Sequence, residues 1–133
     1  MARFYRVFGA TDACPPATAV PGATFGKEGD AWFWAELPGV RIDRFLAGEE
    51  NIRAELNSWA AVVEATLDEP AALMERIIQS RQLFVVQAEA EAAEPDAERV
   101  ARSLAAATAG CYQVDEGGWH DADGTPLAGD EAA

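Results

Sequence analysis

Residues 49–67 carry one continuous stripe of large apolar side chains. Ile52, Leu56, Trp59, Val63 and Leu67 recur every three or four positions, which places them on one face of an α-helix. Such a helix cannot stand alone. Burying each large side chain contributes about 1.5–3 kcal/mol, while ordering each residue costs about 1–2 kcal/mol of backbone entropy. The stripe therefore demands a second apolar surface from the rest of the chain. Glu49 and Glu50 stand where the helix dipole favours negative charge, and Glu49 precedes Arg53 by one turn, the favourable order for an ion pair.

That second surface reads as a sheet. Arg3 to Phe8 alternates, with Phe4, Arg6 and Phe8 opposite Tyr5 and Val7. Ala31 to Leu37 (AWFWAEL) is apolar on both faces, Trp32 and Trp34 on one and Phe33, Ala35 and Leu37 on the other, as in a strand covered from both sides. Pro38-Gly39 ends it with turn chemistry. Ala71 to Arg81 reads as a second, shorter helix, and Leu83 to Ala88 as an interior strand. Pro95 to Ala109 reads as a third helix, with Glu98 paired to Arg102 and Gly110 as its C-terminal cap. Cys111 to Glu116 alternates as a strand, Gly117-Gly118 turns the chain, and Trp119 to Asp121 returns. The strand–helix–strand run over 83–115 predicts two parallel strands joined by a right-handed crossover. The expectation is an α+β fold: a two-layer sandwich with helices packed on one face of a four- to five-stranded mixed sheet. Residues 1–127 form its one domain, residues 9–30 a long Pro/Gly-rich loop, and residues 128–133 a disordered tail.

Charge is distributed unevenly. The net charge is −13 over 133 residues. Residues 1–48 are neutral, with five basic and five acidic side chains, whereas residues 49–133 hold five arginines and eighteen carboxylates. An excess of this size favours solubility and attracts a basic partner over distance. It disfavours nucleic acid and anionic lipid, which both need a basic footprint. No stretch approaches the ~20 apolar residues of a membrane span, and the N-terminus lacks the apolar core of a signal peptide. Cys14 and Cys111 form no CxxC or zinc spacing, so unpaired thiols in a cytoplasmic protein are expected. There is neither GxGxxG nor GxxxxGK[ST], and no cofactor or metal is expected.

Several residues invite chemistry. His120, beside Asp121, is the single histidine, and with Cys14 or Cys111 it would make a thiol nucleophile site. The surroundings of both cysteines disfavour this: Cys14 precedes two prolines and Cys111 begins a strand. Asp121-Ala122-Asp123-Gly124 resembles part of a calcium loop. Trp119 would then occupy its first ligand position and Asp130 its last, so an Asp-Gly turn is the better account. Glu89, Glu91, Glu94, Asp96 and Glu98 form an acidic run at the exit of a strand, a common binding edge. With Asp115, Glu116, Trp119, Asp121 and Asp123 later in the chain, Glu89, Glu91, Glu94 and Asp96 make the candidate partner-binding set, Trp119 supplying an aromatic anchor. Trp32 and Trp34 are either core or interface.

The closing segment AGCYQVDEGGWHDADGTPL, with the strand and helix before it, resembles the end of small bacterial proteins that include immunity proteins of toxin–immunity systems. The likeness spans about residues 83–127. It implies a non-enzymatic inhibitor role and assigns no role to any single residue. The function expected is an acidic cytoplasmic binding protein, most concretely an immunity protein that neutralises a basic toxin domain by direct association. The alternatives are a small-ligand protein or enzyme with a carboxylate- and Trp-lined site near Glu36, Asp115 and His120, or a subunit of a larger assembly.

Overall fold

The computed structural model describes residues 3–115 and 117–128. In chain order it contains β1 (Arg3–Gly9), β2 (Thr24–Glu28), β3 (Ala31–Leu37), β4 (Val40–Leu46), α1 (Glu50–Thr66), α2 (Ala71–Ile78), β5 (Gln82–Ala88), α3 (Glu94–Ala107), β6 (Cys111–Val114), β7 (Gly118–Asp121) and β8 (Pro126–Ala128). Short 3-10 turns occupy Ala17–Ala19 and Glu91–Ala93. Of the tail expected over 128–133, Ala128 ends β8, and the remaining residues lie outside the described ones.

All eight strands join one sheet in the order β2-β3-β4-β5-β1-β6-β7-β8, and every neighbouring pair is antiparallel. This corrects the mixed sheet of four to five strands. β5 and β6 run in the same direction, but β1 lies between them and pairs antiparallel with both, so no parallel ladder forms. Part of the long loop is strand: β2 forms a hairpin with β3 through Gly29, at φ +66°. β4 follows β3 through Pro38-Gly39, where glycine accepts φ +77°.

The helices cover both faces, so three layers replace the two expected. On one face Val40, Ile42, Phe84, Val86, Tyr5, Val7, Tyr112 and Val114 pack against Ala97, Val100, Ala101 and Leu104 of α3 and against Ala19 and Val20 of the first connection. On the other, Phe8, Leu83, Cys111 and Trp119 pack against Ile52, Leu56, Ala60 and Val63 of α1 and Leu73 and Ile77 of α2. The reason is the period of a strand: Tyr5 and Val7 point one way and Phe8 the other, and both sets are apolar. A central strand of this kind requires two covers.

Residues 10–23 are the connection from β1 to the far edge of the sheet, past the ends of β5, β4 and β3. Arg44, only 5% exposed, pins it. Its guanidinium donates to Gln82 Oε1 (2.7 Å) and to the carbonyls of Trp32 (3.3 Å) and Asp12 (3.2 Å). Gln82 Nε2 donates in turn to the carbonyls of Thr11 (2.6 Å) and Ala13 (2.8 Å), and Trp32 Nε1 donates to that of Pro15 (2.9 Å).

At the end of α3 the left-handed residue is Ala109 (φ 54°), not Gly110. The Gly110 N–H closes the helix on the Ala105 carbonyl at 2.8 Å. Gly110 is needed for a different reason: a Cβ there would collide with the backbone carbonyl oxygen of Phe8.

Two stability outcomes follow from these contacts. Gln82→Leu removes the acceptor of a buried cation and the donors for two carbonyls, and we expect a loss of about 3 kcal/mol. Urea unfolding measures it, with faster proteolysis within residues 10–16. Gly110→Ala forces β1 and β6 apart and should remove about 2–3 kcal/mol in the same assay.

Candidate partner-binding groove

The α1–α2 pair covers only part of its sheet face. Cross-strand register divides that face into rows. The covered row is Phe45, Leu83, Phe8 and Cys111. Beside it run Trp34, Asp43, Val85, Arg6 and Gln113, then Glu36, Arg41, Gln87 and Phe4. Apart from Gln113, these residues are half-buried or exposed, whereas on the opposite face the matching Val40, Ile42, Val86 and Tyr5 are sealed. Where covered and open rows meet, a groove of about 300 Å³ forms. Phe4, Arg6, Phe45 and Val85 line its floor, and Asn51 and Glu55 of α1 its wall.

The open sheet face is ordered by stacking and ion pairs. A register shift between Gly26 and Lys27 inserts Phe33 as an unpaired residue in β3. Trp32 and Trp34 therefore do not share a face, contrary to the strict alternation of the sequence. Trp32 lies in the core beside Phe84 and Phe25. Trp34 lies flat on the open face over Gly26, where any Cβ would strike the indole, and under Arg41 at 5.2 Å. Arg41 bridges Glu36 (2.6 Å) and Asp43 (3.1 Å), two acceptors that hold its pKa above the usual value. Arg6 stacks on Trp59 at 4.9 Å and pairs with Asp115 at 2.7 Å.

The residues singled out from the sequence are not brought to one surface. Glu94 pairs with Arg3 (3.0 Å), Asp115 with Arg6, and Asp121 with Arg76 (3.5 Å). Asp96 pairs with Arg99 one turn along α3. Glu89 and Glu91 are exposed at the start of the β5–α3 connection, and Glu116 lies outside the described residues. Trp119 is a core residue, 6% exposed, held between Phe8 (5.1 Å) and Trp59 (5.9 Å). The Asp121–Thr125 stretch is a turn whose carboxylates serve its own backbone. Asp121 accepts from the Ala122 N–H and Asp123 from that of Thr125, and hydrogen bonding by the Thr125 side chain and then its backbone lowers the Asp123 pKa. Glu49 caps the Leu46 N–H at 2.7 Å instead of meeting Arg53, which donates to the Ile78 carbonyl at 2.7 Å.

No thiol dyad is assembled from the described residues. His120 stacks on Tyr112 (5.1 Å) under the α3 layer, while Cys111 lies under α1 and α2. His120 Nε2 meets the Gly117 carbonyl at 2.9 Å, and its buried Nδ1 has no partner among the described residues. Glu36, Asp115 and His120 are likewise apart, the first two on the open face and the third beneath it. Among the described residues no group of three His, Cys, Asp or Glu is placed to hold a metal ion, and no helix is long and apolar enough to cross a membrane.

No protein-family model, curated protein or solved structure matches this chain. The likeness of residues 83–127 to immunity-type proteins therefore rests on the sequence pattern alone.

Burial pushes the Cys111 thiol up to about 11. The unfolded thiol ionises near pH 9 while the folded one stays neutral, so its contribution is complete below that pH and is lost as pH rises to about 11. Two units correspond to about 3 kcal/mol. Burial raises Tyr5 and Tyr112 as well, adding loss of the same sign above pH 10. Denaturant titrations should show stability falling from pH 9, with the earlier part of the fall absent in Cys111→Ala.

Proposed function

We propose that this protein is a non-enzymatic, acidic binding module that neutralises a basic protein, most concretely a toxin domain, by direct association through the groove. One observation carries this reading: the open sheet rows hold aromatic and arginine side chains, and the helical pair beside them holds carboxylates without arginine partners. Trp34, Phe4, Phe45 and Val85 offer partly exposed apolar surface, and Trp and Arg dominate binding hot spots. Glu55, Glu64, Asp68, Glu69 and Glu75 on and between α1 and α2 are exposed, and no arginine among the described residues pairs with them. Val62 stands among them, 47% exposed.

The division of labour is physical. The unpaired carboxylates supply a long-range field that speeds encounter with a cation-rich surface. The groove and the open rows beside it supply short-range affinity, because Trp34 in those rows and Phe4 in the groove are already held by Arg41, Gly26 and Arg6 and lose little freedom on binding. We place docking on this surface and not on the expected set, because Glu94, Asp96, Asp115 and Asp121 each have an arginine within 3.5 Å. A cytoplasmic setting, with both thiols free, completes the proposal.

A photo-crosslinking residue at Phe4 or Trp34 should capture a basic protein in cells, while the same group at Thr18, on the opposite side, captures none. With the captured partner purified, raising salt from about 50 to 500 mM should slow association at least tenfold, on the order expected for steered encounters. Trp34→Ala should weaken binding roughly 10–100-fold. An on-rate indifferent to salt, or equal capture from Thr18, sinks the proposal.

A further inference from the structure

A cleft of about 1020 Å³ opens across the first turns of α1 from the groove and shares none of its lining residues. It lies where the chain leaves β1, where β4 passes to α1, and where α2 ends. Arg53, Arg81, Asp12, Gly48 and Ile78 are among its walls.

The arginines of the chain fall into two groups. Arg3, Arg6, Arg41, Arg76, Arg99 and Arg102 each hold a carboxylate within 3.5 Å. Arg44 and Arg53 hold no carboxylate among the described residues, and Arg81 holds only the exposed Asp12; Arg53 and Arg81 line this cleft, and Arg44 bonds to the Asp12 carbonyl behind it. Arg53 has no carboxylate among the described residues; it donates one N–H to the Ile78 carbonyl, and a guanidinium has five. Arg81 meets Asp12 at 3.5 Å, with side chains 62% and 68% exposed, an arrangement worth about 0–1 kcal/mol. Arg44 stands behind the Asp12 wall, bonded to neutral acceptors and to no carboxylate, so its charge is uncompensated by a near neighbour.

Among the described residues Asp12 is the one carboxylate that lines the cleft, facing Arg53 and Arg81, while Glu49 at the rim is engaged by the Leu46 N–H at 2.7 Å. In a chain of net charge −13, a cleft whose described lining holds two arginines and one aspartate stands out. The remaining carboxylates act on it through solvent, screened beyond about 10 Å at 0.1 M salt. Gly48 leaves the mouth open, since a Cβ there would meet nothing within 4 Å.

We propose that this cleft binds a small molecule bearing an oxyanion, a phosphate ester or a polycarboxylate, gripped between Arg53 and Arg81. The ligand displaces Asp12 from Arg81 and uses the idle N–H groups of both forks, the geometry in which arginine recognises oxyanions best. The volume leaves room for a body larger than the bare ion. This site is independent of the protein-binding groove, and either can fail alone.

The test is an amide-resolved NMR titration of the intact protein with pyrophosphate and, separately, citrate, against sodium chloride at matched ionic strength. The expected result is saturable shifts centred on Ala10, Ala47 and Gly48, absent with chloride; the tighter of the two ligands names the anion class. The Arg53→Gln/Arg81→Gln double variant should bind at least about tenfold more weakly. Because Arg53 also caps α2, Gly48→Glu serves as a second variant. It places a carboxylate at the open mouth without steric conflict and should weaken binding comparably with the fold unchanged. No saturable shift with either anion, or shifts that persist unaltered in both variants, overturns the proposal.

Discussion

The sheet depends on a buried arginine that has no acid beside it. Arg44 occupies a core-facing position of β4, in register with Phe84, and its guanidinium is solvated by Gln82 Oε1 and two backbone carbonyls. Gln82 can serve Arg44 only if its own N–H groups find acceptors, and those are the carbonyls of Thr11 and Ala13. The connection leaving β1 is thereby locked against the ends of β5, β4 and β3. A partly satisfied network of this kind would be worse than an apolar core. Satisfied, it ties the centre of the sheet to its far edge.

Much of this fold can be read from periodicity. The stripe of α1 and the apolar run of β5 stand out because each matches one period and one environment. β4 does not, and Arg44 is the reason: a charged side chain on the buried face makes VRIDRFL look like a polar connection. β2 is hidden by Gly26, which weakens the strand pattern and which the structure requires because Trp34 lies over it. The second covered face is implied by β1 itself: its alternating residues are apolar on both sides, and a single helical layer leaves one of those sides bare.

The groove was illegible for a different reason. Phe4, Asp43 and Val85 are far apart in sequence, and only the strand order makes them neighbours. How much of their face stays open depends on how far α1 and α2 reach, which no local pattern reports. The acidic run at 89–98 attracts attention because it is contiguous. Yet its charge is met partly from outside, by Arg3 at Glu94, and partly from within, by Arg99 and Arg102. Contiguity in sequence overstated the charge that remains in space.

The central place of β1 has a kinetic consequence. The partners on the two sides of this strand are residues 82–88 and 111–114, both far behind it in the chain. The β2–β3–β4 meander can zip locally while β1 waits as an unpaired ribbon, apolar on both surfaces. Closing loops of that length before any ladder forms slows the search. The ladder around β1 therefore closes only once residues 111–114 are available, and until then β1 has to be kept from pairing elsewhere.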